Sequence, residues 1–180
     1  MVFRCIPLLS ATVLALIAQA VTVFAQEATL PGGAASLRET HGDWTVACVL
    51  QTADGKKRKV CALTQEQVAA KTRQRALALD LKPDGTGIKG ALILPFGLAL
   101  EKGASFVLDE GKPGGVQRFR TCLPVGCLIN IAFDGATVTA LKSGKALSVK
   151  VVADNGQEMI LSISLAGFAG AYDRVAALIK

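Results

Sequence analysis

Arg75-Ala76-Leu77-Ala78-Leu79-Asp80-Leu81, then Lys82-Pro83-Asp84-Gly85, then Gly90-Ala91-Leu92-Ile93-Leu94 are the segments that decide how this chain folds. The first sets Leu77, Leu79 and Leu81 at every second position, the period of a strand with one buried face, so these leucines are expected in the core. The second is a proline-led turn, and the third is a short apolar run that stops at Pro95. Strand, turn and strand in succession predict an antiparallel hairpin.

The same pattern extends in both directions. Strand-like runs occupy Trp44 to Leu50, Val60 to Gln65, Ser105 to Asp109, Val116 to Thr121, Cys127 to Phe133, Leu147 to Ala153 and Met159 to Leu165. Turn signals lie between them, including Ala53-Asp54-Gly55, Gly111 to Gly115, Asp134-Gly135 and Asp154-Asn155-Gly156. With the opening hairpin this gives about nine short strands, and such spacing describes an all-β sandwich of antiparallel strands rather than a parallel α/β sheet. Ile160, Ile163 and Leu165 suggest a buried face on the last strand, less regularly than the leucines do. Ala136 to Leu141 reads equally as a strand or a helical turn, being β-branched yet enclosed by Gly135 and Gly144. Phe168, Tyr172, Val175, Leu178 and Ile179 recur at helical spacing and predict a C-terminal amphipathic helix packed on the sandwich.

The amino terminus has a different character. A short basic start with Arg4 precedes an apolar run from Cys5 to Val23 and the small residues Val23 and Ala25. That order predicts a signal peptide over residues 1–25, cut after Ala25. The rival is a retained membrane anchor, which the length would allow, but Pro7, Ser10, Gln19 and the cleavage-like end favour removal. Cys5 precedes the apolar run, the wrong side for a lipid-modified cysteine. Residues 26–41 are expected to be a flexible leader, and residues 42–180 one domain with a core of its own. The formal charge of +6, or +5 once Arg4 is removed, suits anionic partners and plain solubility alike.

Four cysteines follow the signal segment: Cys48, Cys61, Cys122 and Cys127. An even number in an exported chain predicts two disulfides. Three connectivities are open, and proximity favours Cys48 with Cys61 and Cys122 with Cys127. By loop entropy the first pair is worth about 3 kcal/mol and the second about 2 kcal/mol. Zinc is the competing explanation, but the spacings exceed those of paired ligands and His41 is the single histidine. No metal and no cofactor are therefore expected.

Catalytic groupings are hard to find. Gly85-Thr86-Gly87-Ile88-Lys89-Gly90 has the spacing of a dinucleotide loop but follows a turn and precedes a strand, so it is read as a β-turn. His41 has no serine elbow or metal motif to work with. Asp109 and Glu110 are adjacent, so on a strand they face opposite ways and cannot act on one bond. Trp44 is read as a core aromatic. The remaining candidate is Lys56-Lys57-Arg58-Lys59, displayed in the loop that the first disulfide closes, where four cations could meet an anionic surface. Lys71, Arg73 and Arg75 form a second basic group. Nucleic acid is disfavoured by the expected compartment.

Several short motifs occur in a recognisable order: Gly42-Asp43-Trp44 with Cys48, Cys61-Ala62-Leu63-Thr64-Gln65, Leu94-Pro95-Phe96-Gly97-Leu98-Ala99-Leu100, Cys122-Leu123-Pro124-Val125-Gly126-Cys127, Leu141-Lys142-Ser143-Gly144 and Ser164-Leu165-Ala166-Gly167-Phe168. In this the chain resembles the invasion-associated locus B family of exported bacterial proteins, from about Gly42 to its end. The resemblance implies a periplasmic or envelope-associated protein from a family named for host-cell, notably erythrocyte, invasion. It supports the two local disulfides, places Pro95 and Gly97 in a loop between strands, and supplies no catalytic residue. The expectation is a non-enzymatic binding protein for an envelope protein or anionic envelope component, with no retained transmembrane helix. A cell-wall-directed hydrolase, with two facing carboxyl groups, is the first alternative. An envelope assembly accessory, taking another chain onto an open sheet edge, is the second.

Overall fold

A computed structural model of the chain describes residues 28–69, 71 and 73–180, so the expected signal peptide and its cut after Ala25 lie outside the described residues. Two antiparallel sheets pack face to face. The larger contains β1 (Ser36–His41), β2 (Trp44–Ala53), β3 (Lys56–Val68), β4 (Arg75–Asp84), β5 (Gly87–Leu94), β7 (Phe119–Leu123) and β8 (Gly126–Phe133), in the spatial order β1-β2-β3-β4-β5-β8-β7. The smaller contains β6 (Ser105–Leu108), β9 (Ala146–Val152) and β10 (Glu158–Ser164), in the order β10-β9-β6. Helix α1 (Gly135–Ser143) links β8 to β9, and α2 (Phe168–Leu178) closes the chain.

The β4–β5 hairpin forms as expected, with Leu81 opposite Gly90 and the turn between Asp84 and Gly87. Leu77, Leu79 and Leu81 are buried against Trp44, Val46, Leu63, Ile88 and Leu92 from the same sheet. Phe106, Leu147, Val149, Val151 and Ile163 meet them from the smaller sheet. Trp44 is 1 % exposed and stacks edge-on against Phe168 of α2 at 5.2 Å, which places it in the core. The periodic residues Phe168, Tyr172, Val175 and Leu178 are all buried, so the amphipathic helix seals the inner face as their spacing predicted, whereas Ile179, expected with them, lies just past the helix end and is exposed.

Two expectations require correction, and one open reading is settled. Residues 26–41 are not wholly a leader: Leu30 is buried in the core, and Ser36–His41 form β1, paired along its length with β2 from Ser36–Val49 to His41–Trp44. The polar composition of this strand is tolerated because Glu39 is held by Arg174 of α2, with Nε–Oε2 2.8 Å and Nη2–Oε1 2.7 Å. There are accordingly ten strands among the described residues rather than nine. Ile160 faces out at 64 % exposure while Ile163 is buried, since positions three apart cannot share a strand face. The undecided segment is helical: Asp134 precedes α1 and accepts a bond from the Thr137 backbone N–H at 2.8 Å, and this cap outweighs the β-branched residues behind it.

Candidate functional site

Cys48 and Cys61 are direct cross-strand partners on β2 and β3, and they are bonded to each other. Cys122 and Cys127 are partners at the β7–β8 hairpin and are bonded likewise. Beyond the first disulfide the β2–β3 hairpin continues through the pairs Val49–Val60, Leu50–Lys59, Gln51–Arg58, Thr52–Lys57 and Ala53–Lys56. Its tip is Asp54-Gly55, with φ of 52° and 71°, the geometry of a tight two-residue turn. At about 3.4 Å per residue, these five pairs carry the basic run some 17 Å past the disulfide.

Alternation then divides that run. Lys57 and Lys59 share the side of Cys61, which faces the core, whereas Lys56 and Arg58 share the side of Ala62, which faces away from it. The four cations of the sequence candidate are thus brought to one hairpin but shared between its two faces. Of the second basic group, Arg75 pairs with Glu66, with Nε–Oε1 2.9 Å, and bonds the Val125 carbonyl.

The side away from the core leads onto the broad outer face of the seven-stranded sheet, which no helix or second sheet among the described residues covers. Register aligns its residues into rows across the strands. One row runs Thr40, Thr45, Thr64, Asp80, Ala91, Asn130. Its neighbour has Arg38, Ala47 and Ala62 on β1 to β3 and Lys82, Lys89 and Ala132 on β4, β5 and β8. Short side chains form the floor and long charged ones rise from it, leaving two shallow depressions. A depression of about 520 Å³ lies among Arg38, Asp43, Thr64, Glu66, Arg75 and Val125, and one of about 490 Å³ lies among Asp80, Lys82, Lys89, Ala91, Arg120 and Asn130.

The acidic groups on this face are partly engaged. Glu66 is held by Arg75, and Asp43 accepts a bond from the Ser164 hydroxyl at 2.5 Å. Of the adjacent acids Asp109 and Glu110, the first has structural partners. Asp109 accepts from the backbone N–H groups of Lys145 and Ala146, both at 2.9 Å, and the Ala146 and Lys145 bonds hold its carboxyl below the usual range. His41 ends β1 and lies 3.4 Å from Glu39, whose carboxyl the Arg174 guanidinium lowers below its ordinary value. Gly85 to Gly90 form the β4–β5 turn and the start of β5. Among the described residues no three His, Cys, Asp or Glu side chains come together as a metal site, and no helix is long and apolar enough to cross a membrane.

The sheet edges differ in their availability. The β10 edge is capped by the larger sheet: Trp44 Nε1 and Gln65 Nε2 each donate to the Ser164 carbonyl at 2.9 Å, and Gln67 Nε2 donates to that of Ser162 at 2.7 Å. The β6 edge is covered by the following loop, through Gly114 N–H to Phe106 O at 2.8 Å and reciprocal bonds between Ala104 and Gln117. The remaining edges belong to β1 and β7, which are short, and β7 has an irregular register next to its disulfide.

The outer face was missed from sequence because its rows depend on register. The available signal was the non-leucine half of each alternation: Ala47, Ala62, Ala78 and Ala91 fall on it, where a solvent-facing strand ordinarily has larger polar residues.

Comparison with known proteins agrees with this architecture. The family described as Invasion associated locus B (IalB) protein matches residues 44–176. An invasion protein B homolog of Brucella abortus (strain 2308) is 45% identical over 155 residues, covering 85% of this chain and 87% of that protein. The invasion protein B of Bartonella bacilliformis is 37% identical over 157 residues, covering 85% and 82%. The crystal structure of invasion associated protein b from Bartonella henselae superposes with a TM-score of 0.71 at 32% identity, covering 79% of this chain and 96% of that one.

Proposed function

Because the chain belongs to the invasion-associated locus B family, we propose that it acts outside the cytoplasm as a non-enzymatic binding protein of the bacterial envelope. The observation that carries this reading is the bare outer face of the seven-stranded sheet, continuous with the basic β2–β3 hairpin. Among the described residues the inner face is filled by the second sheet and both helices, and the β6 and β10 edges are covered by a loop and by side chains. Two local disulfides support service in an oxidising compartment. The names of its relatives extend the reading to a contribution to host-cell invasion, made by holding an envelope component rather than by transforming one.

A hydrolase acting on cell-wall material has weaker support, since Glu66 and Asp43, two of the three carboxylates beside the larger depression, are already bound to Arg75 and Ser164. The deciding experiment is capture from native envelope with the chain from Gln26 to Lys180, followed by crosslinking and mass spectrometry. Retention should fall when Lys56 and Arg58, on the outer side of the hairpin, are reversed to Glu, and persist when Lys150 on the smaller sheet and Lys102 beside it are. Equal retention by both variants removes the outer face from the reading.

A further inference from the structure

The smaller depression has a charge pattern that the fold itself does not require. Lys82 and Lys89 are seven residues apart in sequence and become direct cross-strand partners in the β4–β5 hairpin. Like charges directly opposite one another destabilise a sheet. Lys89 is relieved by Asp84, with Nζ–Oδ2 2.5 Å, but that pair is exposed, at 65 % and 54 % of the side chains, and such pairs contribute little. Lys82 and Arg120 have no ion pair among the described residues. Arg120 reaches the same depression from β7, at the register irregularity between Phe119 and Thr121, and Asn130 adds an amide from β8. Cations from three strands and a neutral donor from a fourth therefore surround a floor of Gly90 and Ala91.

We infer that this depression is a binding site for a phosphoryl group, held by Lys82, Lys89, Arg120 and Asn130. A tetrahedral oxyanion offers acceptors in several directions at once and so can use donors that converge from separate strands, whereas a planar carboxylate satisfies one fork. Ala91, on the same side of β5 as Lys89, leaves the floor low enough for the anion to sit among the side chains. Asp80 lines the same depression on the side toward Glu66 and Asp43, so it repels an anionic chain in that direction. The rest of a phosphorylated ligand then extends toward Ala62, Arg38 and the outer side of the basic hairpin.

The site deepens the envelope-binding reading and rests on it for its biological partner, yet it is tested separately, with inorganic tripolyphosphate as the probe. Titration at low ionic strength, followed by calorimetry and by amide NMR shifts, should saturate and perturb residues 80–91, Arg120 and Asn130. The double variant Lys82→Gln/Arg120→Gln should weaken binding about tenfold or more, as loss of two charge-assisted contacts requires. Lys102→Gln/Lys150→Gln, with the same change in net charge on and beside the smaller sheet, should change it less than about twofold. Asp80→Asn should tighten it. Absence of saturation, or equal weakening by the two double variants, overturns the site even if envelope capture succeeds. Sedimentation with phosphatidic acid vesicles identifies the source: pelleting that tripolyphosphate reverses assigns a lipid headgroup, no pelleting assigns a soluble phosphorylated ligand, and pelleting that tripolyphosphate leaves intact counts against the site.

Discussion

Gly167 and Gly156 have nearly the same backbone, with φ of +86° and +85°, and very different surroundings. Gly156 sits in the β9–β10 turn, and a Cβ there would meet nothing within 4 Å. Gly167 lies where the chain passes from β10 into α2 and crosses the β1–β2 turn. A Cβ there would stand 2.0 Å from the His41 carbonyl oxygen and 2.4 Å from its carbon. Replacing either glycine by alanine incurs the same conformational penalty, about 1–2 kcal/mol for a left-handed residue. Gly167→Ala must in addition push two backbone segments apart by more than 1 Å, a strain comparable to overpacking a core, about 1–3 kcal/mol. For a domain of this size each kcal/mol lowers Tm by about 2–4 °C. Gly156→Ala should therefore lose about 2–8 °C and Gly167→Ala about 4–20 °C in thermal melts followed by circular dichroism. Equal losses would show that the crossing is not a rigid backbone contact, and would remove the argument that the β1–β2 turn is locked to α2.

Other expectations follow from single contacts. Serine at both Cys48 and Cys61 should lower stability by about 3 kcal/mol and at both Cys122 and Cys127 by about 2 kcal/mol, because the first loop is longer; denaturant titration of each double variant checks the order. Gln65 is buried at 4 % and bonds both the carbonyl and the N–H of Ser164, so Gln65→Leu should cost about 1–3 kcal/mol and raise the Ser164 amide exchange rate. The Glu39 carboxyl is lowered below 4.5 in the folded chain, chiefly by Arg174. Its contribution is therefore complete above the unfolded value and lost as pH falls through the lowered one. Tm of the unaltered protein should fall more steeply below about pH 4.5 than that of Glu39→Gln. The difference is partial, since Asp109 and Asp134 are lowered too and act in the same direction.

What could be read from the sequence was whatever local order determines. Leu77, Leu79 and Leu81 revealed their face through alternation alone, and Phe168 to Leu178 their helix through helical spacing, because the core selects those periods directly. Neighbouring cysteines paired because short hairpins bring them opposite one another. Strand β1 stayed hidden: its inward residues are Leu37, Glu39 and His41, and the partner that makes Glu39 acceptable, Arg174, is 135 residues away. The β-branched Val138 and the threonines of α1 pointed toward a strand, and one capping carboxylate at Asp134 settled the matter otherwise. The basic hairpin was visible as a run, but its division between two faces was not, since that depends on which of its residues shares a side with Cys61.

The outer face shows most clearly where local rules are broken. Alanine is a poor strand residue, and a solvent-facing sheet gains stability from β-branched and aromatic cross-strand pairs. Here Ala47 faces Ala62 directly, Ala78 lies opposite Ile93, and Ala91 separates Asp80 from Asn130. Lys82 opposite Lys89 adds an unfavourable pair to these weak ones. Replacing the alanines with threonine or valine would improve each pairing without disturbing the core, yet it would raise the floor on which Arg38, Arg58, Lys82 and Arg120 stand. A face that forgoes available stability to remain low and to carry these cations is what the proposed contact with an envelope component requires, and local rules tend to fail at functional surfaces for that reason.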